Sequence, residues 1–244
     1  MSFELSAEQR CAVERWRDGD NVRVMAVPGA GKSKVILESC RISSARKTLI
    51  LAYNRELCDE TKARLKAMEL EHVQCMTFHG MATLCVRPVH DDMALFQLLD
   101  DLEQTECDVE KVFAEQILID ECQDFRPSFL SLMGHLVDAP SDVQMMVVGD
   151  LPQLIYEYSK EDPASPAYLL SPSLYFPSTR PWSNIELTTS FRLTPHVAGF
   201  VGACFGRQIQ SRKQGGPPVR VYTLNLWRAA PLVTSILQDV KSLE

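Results

Sequence analysis

None of the eight cysteines pair as C-x-x-C, and no two histidines complete a zinc pattern, so a zinc fold is not expected. Disulfide scaffolds are small and cysteine-dense, and a 244-residue chain is neither, so the thiols are expected reduced. No apolar run reaches the roughly 18 residues that a membrane span needs. The opening MSFELSAEQR carries acids and no apolar centre, unlike a secretory signal. An intracellular protein, cytoplasmic or nuclear and with no membrane partner, is therefore expected. Internal repeats are also missing. So is any excess of basic charge: Lys and Arg number 25 against 32 Asp and Glu, for a net charge of −7. That argues against a histone-like coat for nucleic acid, though not against a local basic channel.

The acidity is not spread evenly. Residues 91–110 hold eight acids and no Lys or Arg, which accounts for the whole net negative charge. Residues 41–66 carry seven basic residues against three acids, and 180–228 carry seven against one.

With 45% hydrophobic and 23% charged residues, the chain has an ordinary globular composition and is long enough for one to two domains. Short apolar runs alternate with helical stretches. Strands are expected at Val22–Ala26, Thr48–Tyr53, Val73–Thr77, Gln116–Asp120 and Val143–Gly149. Helices are expected over Gly31–Cys40 and from the second strand to about Met68. Continuous apolar strands separated by helices predict an α/β fold with a parallel sheet covered on both faces. Ligands of such sheets bind beyond the carboxyl ends of the strands. The acidic stretch near 90–110 reads as one or two solvated amphipathic helices, and the Pro- and Ser-rich stretch 158–183 reads as a surface loop. Further on, a helix over Pro195–Phe205, a strand at Val219–Thr223 and a last helix from about Arg228 are expected.

Three motifs carry chemistry. Ala26, Val27, Pro28, Gly29, Ala30, Gly31, Lys32 and Ser33 spell the phosphate loop G-x-x-x-x-G-K-[ST], with alanine at the first glycine position. Its glycines let successive N–H groups face phosphate oxygens. Lys32 meets the β and γ phosphates, and the Ser33 hydroxyl binds Mg²⁺. Gly-Lys-Ser also occurs in ordinary loops, but this one leaves an apolar strand and enters a helix. The second motif, ILIDECQD at 117–124, runs an apolar strand into paired acids: Asp120 for a Mg²⁺ and Glu121 for the attacking water. An acidic loop capping the next helix is the plainer alternative, and the upstream phosphate loop argues against it. The third motif, VVGDLPQLIY at 147–156, puts Gln153 where it either senses the γ phosphate or serves as an ordinary turn residue.

The order of Gln9, AVPGAGKS, LAYNREL, TFHGMA, LIDECQD, GDLPQLIY and LTTSFR resembles superfamily 1 DNA helicases of the UvrD/Rep type. In spelling it is most similar to the F-box DNA helicase branch, without an F-box. The resemblance covers residues 5 to about 200. It implies a RecA-like P-loop NTPase domain at 1–190 with a small helical insertion near 81–115, followed at 191–244 by the start of a second RecA-like domain.

ATP and Mg²⁺ are the implied cofactors. By the same resemblance, Gln9 reads adenine, Phe191 stacks on it, Arg192 is the finger that stabilises γ-phosphate charge, and Gln153 couples. Tyr53, Asn54, Thr77, Phe78 and His79 fall where the family contacts single-stranded DNA. Tyr156 and Tyr158 fall where it links nucleotide state to base stacking. Taken alone, Phe78 reads as core, His79 as a neighbour of a helix cap and Tyr158 as surface; the motif order favours contact for the first two.

The chain departs from the family after Tyr156, where Glu-Tyr-Ser-Lys-Glu-Asp replaces an aromatic and Arg-Gly-Ala. It also ends early in the second domain. The expected function is therefore a single-strand-stimulated ATPase and DNA helicase of 3′ to 5′ polarity, incomplete as an isolated chain. Its partners would be single-stranded or partly duplex DNA and a second chain or missing segment. The alternatives are an ATP-binding scaffold that does not translocate and an RNA-directed helicase.

Overall fold

The structure, a computed structural model, describes residues 4–154, 161–176 and 178–220. The chain divides into two compact units, one up to Thr188 and one from Thr189.

The first unit is built on a six-stranded, wholly parallel sheet of order β3-β2-β4-β5-β1-β6. Its strands are β1 (Asn21–Ala26), β2 (Thr48–Ala52), β3 (Val73–Thr77), β4 (Gln116–Ile119), β5 (Gln144–Gly149) and β6 (Trp182–Leu187). The helices are α1 (Ala7–Arg17), α2 (Lys32–Ile42), α3 (Arg55–Ala67), α4 (Phe78–Cys85), α5 (Asp92–Asp101), α6 (Pro127–Leu136) and the single turn α7 (Ala167–Leu170). The central strands read as unbroken apolar runs because both faces are covered. Leu49, Leu51, Ile117, Ile119, Met145 and Val147 pack in one core with α4, α5, α6 and α7. The alternate residues Ile50, Leu118, Met146 and Val148 are buried outside that core, as the two-residue period of a strand requires.

The strands and first helices expected from the sequence are present within a residue or two. The acidic stretch forms one amphipathic helix, α5, as expected, followed by two short 3-10 turns at Leu102–Gln104 and Val109–Val112. Leu95, Leu98 and Val112 are fully buried in the same core as α4 and α6, and its acids lie on the outer face. One expectation needs correction: the described part of 158–183 is not merely surface. Ala164, Tyr168, Leu169 and Phe176 are buried, and β6 begins at Trp182.

The second unit contains a parallel pair, β7 (Thr189–Ser190) and β8 (Gln210–Ser211), and α8 (Pro195–Cys204). Its first turn is held by Ser190, whose hydroxyl accepts from the backbone N–H groups of Arg192 and Leu193. Most of the strand expected at Val219–Thr223 and all of the last helix lie outside the described residues, and residues 217–220 are not strand.

Candidate nucleotide site at the strand ends

The carboxyl ends of β1, β4 and β5 bring the three motifs together. Beyond β1, the phosphate loop turns at Gly29 (φ 73°) and Gly31 (φ 85°), both in the left-handed region open to glycine. Ala26, at the motif's first glycine position, is the last residue of β1 and needs no such conformation. The alanine is therefore tolerated. Gly31 caps α2, so Lys32 and Ser33 open that helix with unpaired backbone N–H groups beside them.

Across the intervening β5, Ile119 ends β4 and the chain turns at Glu121, a non-glycine residue in the left-handed region (φ 51°, ψ 44°). Strain of this kind costs on the order of 1–3 kcal/mol and persists where surrounding contacts enforce it. The Glu121 side chain meets Lys32, whose Nζ lies 2.7 Å from Oε2, with both side chains largely shielded. Asp120 Oδ1 accepts from the Glu121 N–H at 2.9 Å. Burial and the Glu121 charge push the Asp120 carboxyl up to about 6, against the opposing pull of Lys32. Asp120 and Ser33 offer hard oxygen donors at the ends of neighbouring motifs. Such a sparse set fits a Mg²⁺ that takes its remaining ligands from phosphate and water.

Gln123 closes the cluster. Its side chain is buried; Nε2 donates to Glu121 Oε2 at 2.9 Å and to Asp124 Oδ2 at 3.0 Å, and Oε1 accepts from the Asp150 N–H at 3.0 Å. The sequence quotes this glutamine inside a motif but gives it no role; its place two residues after Glu121 is the only signal. Gln153, exposed in the turn after β5, donates to Asp150 Oδ2.

Two expected roles are corrected. Gln9 is buried: its Oε1 accepts from the Ser6 N–H at 3.0 Å in a capping box, and its Nε2 donates to the Ala30 carbonyl at 2.8 Å. A Cβ on Gly31 would stand 2.5 Å from that Nε2. With its amide committed to the chain, Gln9 anchors the phosphate loop rather than meeting a base. Phe78 is only 2% exposed and stacks on Phe129 with ring centroids 4.0 Å apart. That burial excludes it from stacking on a nucleotide, and the core reading holds.

The other expected nucleic-acid residues sit beyond β2 and β3. Tyr53 is half-buried, with its ring edge-on to Phe129. Asn54 and Thr77 cap α3 and α4 by accepting from the N–H groups of Leu57 and Gly80. His79 Nε2 lies 3.0 Å from Asp92 Oδ1. Asp92 in turn takes two bonds from the buried Arg126, at 2.9 and 3.0 Å, and Arg126 lies over the Phe129 ring. Those bonds hold the Asp92 carboxyl below its usual range. No local spacing signals this network, since Asp92 and Arg126 are 34 residues apart. Tyr156 and Tyr158 lie outside the described residues. Phe191 and Arg192 are exposed in the second unit.

Among the described residues, no helix is long and apolar enough to cross a membrane. A comparison with curated proteins gave no match. The solved structures similar to the chain include Bacteroides Pif1 bound to single-stranded DNA, at 18% identity over 78% of this chain and 43% of that one, with TM-score 0.43, and two coordinating Pif1 helicases at forked double-stranded DNA, at 19% over 80% and 46%, with TM-score 0.49. The chain spans less than half the length of either. A family profile described as an AAA domain matches residues 9–159, from the phosphate-loop anchor past the β5 turn. That match takes in more than half of the chain, which belongs to this family, the ATP-binding domain found in UvrD/Rep-like superfamily 1 helicases.

Proposed function

We propose that the chain binds Mg·ATP at the phosphate loop and hydrolyses it as the nucleotide domain of a UvrD-type DNA helicase, with turnover stimulated by single-stranded DNA. The observation that carries this reading is the convergence of Lys32 and Glu121, 89 residues apart in sequence, at 2.7 Å. A largely shielded lysine poised for an anion and a carboxylate aimed at the same point are what phosphoryl transfer to water needs.

Paired with each other, the two neutralise one another. A bound nucleotide draws Lys32 onto the β and γ phosphates, which frees Glu121 to orient the attacking water and take its proton. The α2 N–H groups hold the phosphates, and Asp120 and Ser33 hold Mg²⁺, which supplies charge neutralisation on the phosphate oxygens. Tyr53 and His79 are the side chains best placed for the nucleic acid, with Asn54 and Thr77 shaping the turns beside them. Phe191 is assigned to adenine and Arg192 to the γ phosphate. Stepping along a strand needs two such bodies to open and close; the nucleotide half is assigned here, and a further segment or chain to the other.

Steady-state ATP hydrolysis by the wild type and Lys32→Ala, without nucleic acid and with DNA or RNA oligonucleotides, tests this reading. The expected result is stimulation by single-stranded DNA and a loss of at least about 10²-fold in Lys32→Ala. Turnover that DNA leaves unchanged rejects the helicase reading in favour of a scaffold, and stimulation by RNA alone rejects DNA as the substrate.

A further inference from the structure

Glu121 has two carboxylate oxygens with different surroundings. Oε2 takes both Lys32 Nζ, at 2.7 Å, and Gln123 Nε2, at 2.9 Å. Oε1 accepts no hydrogen bond from the described residues, and so is the oxygen open to a water. When a nucleotide draws Lys32 away, Gln123 is the remaining side chain on Oε2. Its amide is fully used: two N–H groups for Glu121 and Asp124, and one oxygen for the Asp150 N–H. Only a carboxamide of this length donates twice and accepts once. A carboxylate cannot donate, and asparagine is a methylene short.

The approach is close. A Cβ on Gly149 would meet Gln123 Oε1 at 2.6 Å and Leu169 Cδ2 at 2.7 Å, so β5 must end in glycine for the amide to reach it. Beyond Asp150 the contact continues, because Asp150 Oδ2 accepts from Gln153. A chain of contacts therefore joins the Glu121 carboxylate to the exposed Gln153 turn through two buried residues, Gln123 and Asp150.

We propose that Gln123 is a positioning residue with two tasks: it fixes Glu121 once Lys32 has left, and it couples the state of that carboxylate to the turn at Asp150–Gln153. The catalytic task rests on the function proposed above; the coupling task does not require turnover. Both are tested on the full chain, with thermal melts to establish folding. Amide hydrogen exchange at Asp150 is read without nucleotide. Gln123→Met removes the acceptor and is expected to speed exchange about tenfold or more, whereas Gln123→Glu keeps the acceptor and the protection. Glu121→Ala is expected to speed it several-fold in the wild-type background and not at all beside Gln123→Met. Exchange that ignores Glu121→Ala overturns the coupling, even if Gln123→Met fails to fold.

In ATP hydrolysis, the neutral Gln123→Met is expected to lose about 10- to 100-fold in kcat with KM for ATP within twofold, as loss of an interaction made in the transition state would give. Unchanged kcat, or a rise in KM alone, overturns the positioning task. A wild type without any turnover would instead overturn the reading of the site as a hydrolase, leaving the exchange result to decide the coupling.

Discussion

Asp120→Asn should make the protein more stable while disabling its site. The native carboxyl titrates at about 6 against a reference of 3.8, chiefly through burial and the Glu121 charge. The folded state thus binds the Asp120 proton more tightly than the unfolded state. That contribution to stability is present below the unfolded value and is lost as pH rises through about 6. At pH 8 the charged carboxylate costs on the order of 3 kcal/mol, and at pH 5 roughly half as much. Asparagine has the same shape, keeps an oxygen for the Glu121 N–H and carries no charge. The assay is urea unfolding of the wild type and Asp120→Asn at both pH values. The variant should gain about 2–3 kcal/mol at pH 8 and clearly less at pH 5. No gain at pH 8, or an equal gain at both, would refute the assignment of this shift to a buried charge. The same proton competes with Mg²⁺, so cation-dependent turnover should fall as pH drops through about 6.

Other perturbations have defined directions. Arg126→Ala removes the partner of Asp92 and leaves the buried Asp162, 3.6 Å away, with less compensation; a loss of about 2–4 kcal/mol in chemical denaturation is expected, below the fully buried limit because Asp92 is half exposed. Gly149→Ala should cost about 1–3 kcal/mol, because its methyl displaces Gln123 or Leu169, and it should lower kcat with them. Gln9→Ala should weaken nucleotide binding for every base alike, since it loosens the Ala30 carbonyl rather than a base contact; a shift confined to adenine nucleotides, read in competition titrations, would restore the base-reading role.

How much of this was legible in the sequence follows from how local each feature is. The β1 strand and the turn into α2 are set by neighbours: β-branched and apolar residues, then glycines where φ is positive. The Ser6 and Gln9 pair is equally local, with the three-residue spacing of a capping box. Family role obscured that reading. Phe78 was misjudged because its exposure is decided by Phe129 and Phe125, which arrive from α6 and the turn before it. Gln123 and Arg126 escaped notice for a related reason: their partners lie across the sheet or in the acidic helix, and no spacing rule connects them. The acidic stretch 91–110 shows the limit of composition. Its eight acids, three of them within α5, describe the solvent face, while Leu95 and Leu98 decide where the helix packs.

The central claim is that Lys32 and Glu121 pair directly at the phosphate loop, and that a nucleotide must displace this pair. Calorimetric titration of Mg·ATP into the wild type and Glu121→Gln tests it most directly. Removing the competing charge from Lys32 should tighten ATP binding about 5- to 10-fold, roughly 1–1.4 kcal/mol, while hydrolysis slows. Equal or weaker binding by Glu121→Gln would contradict it.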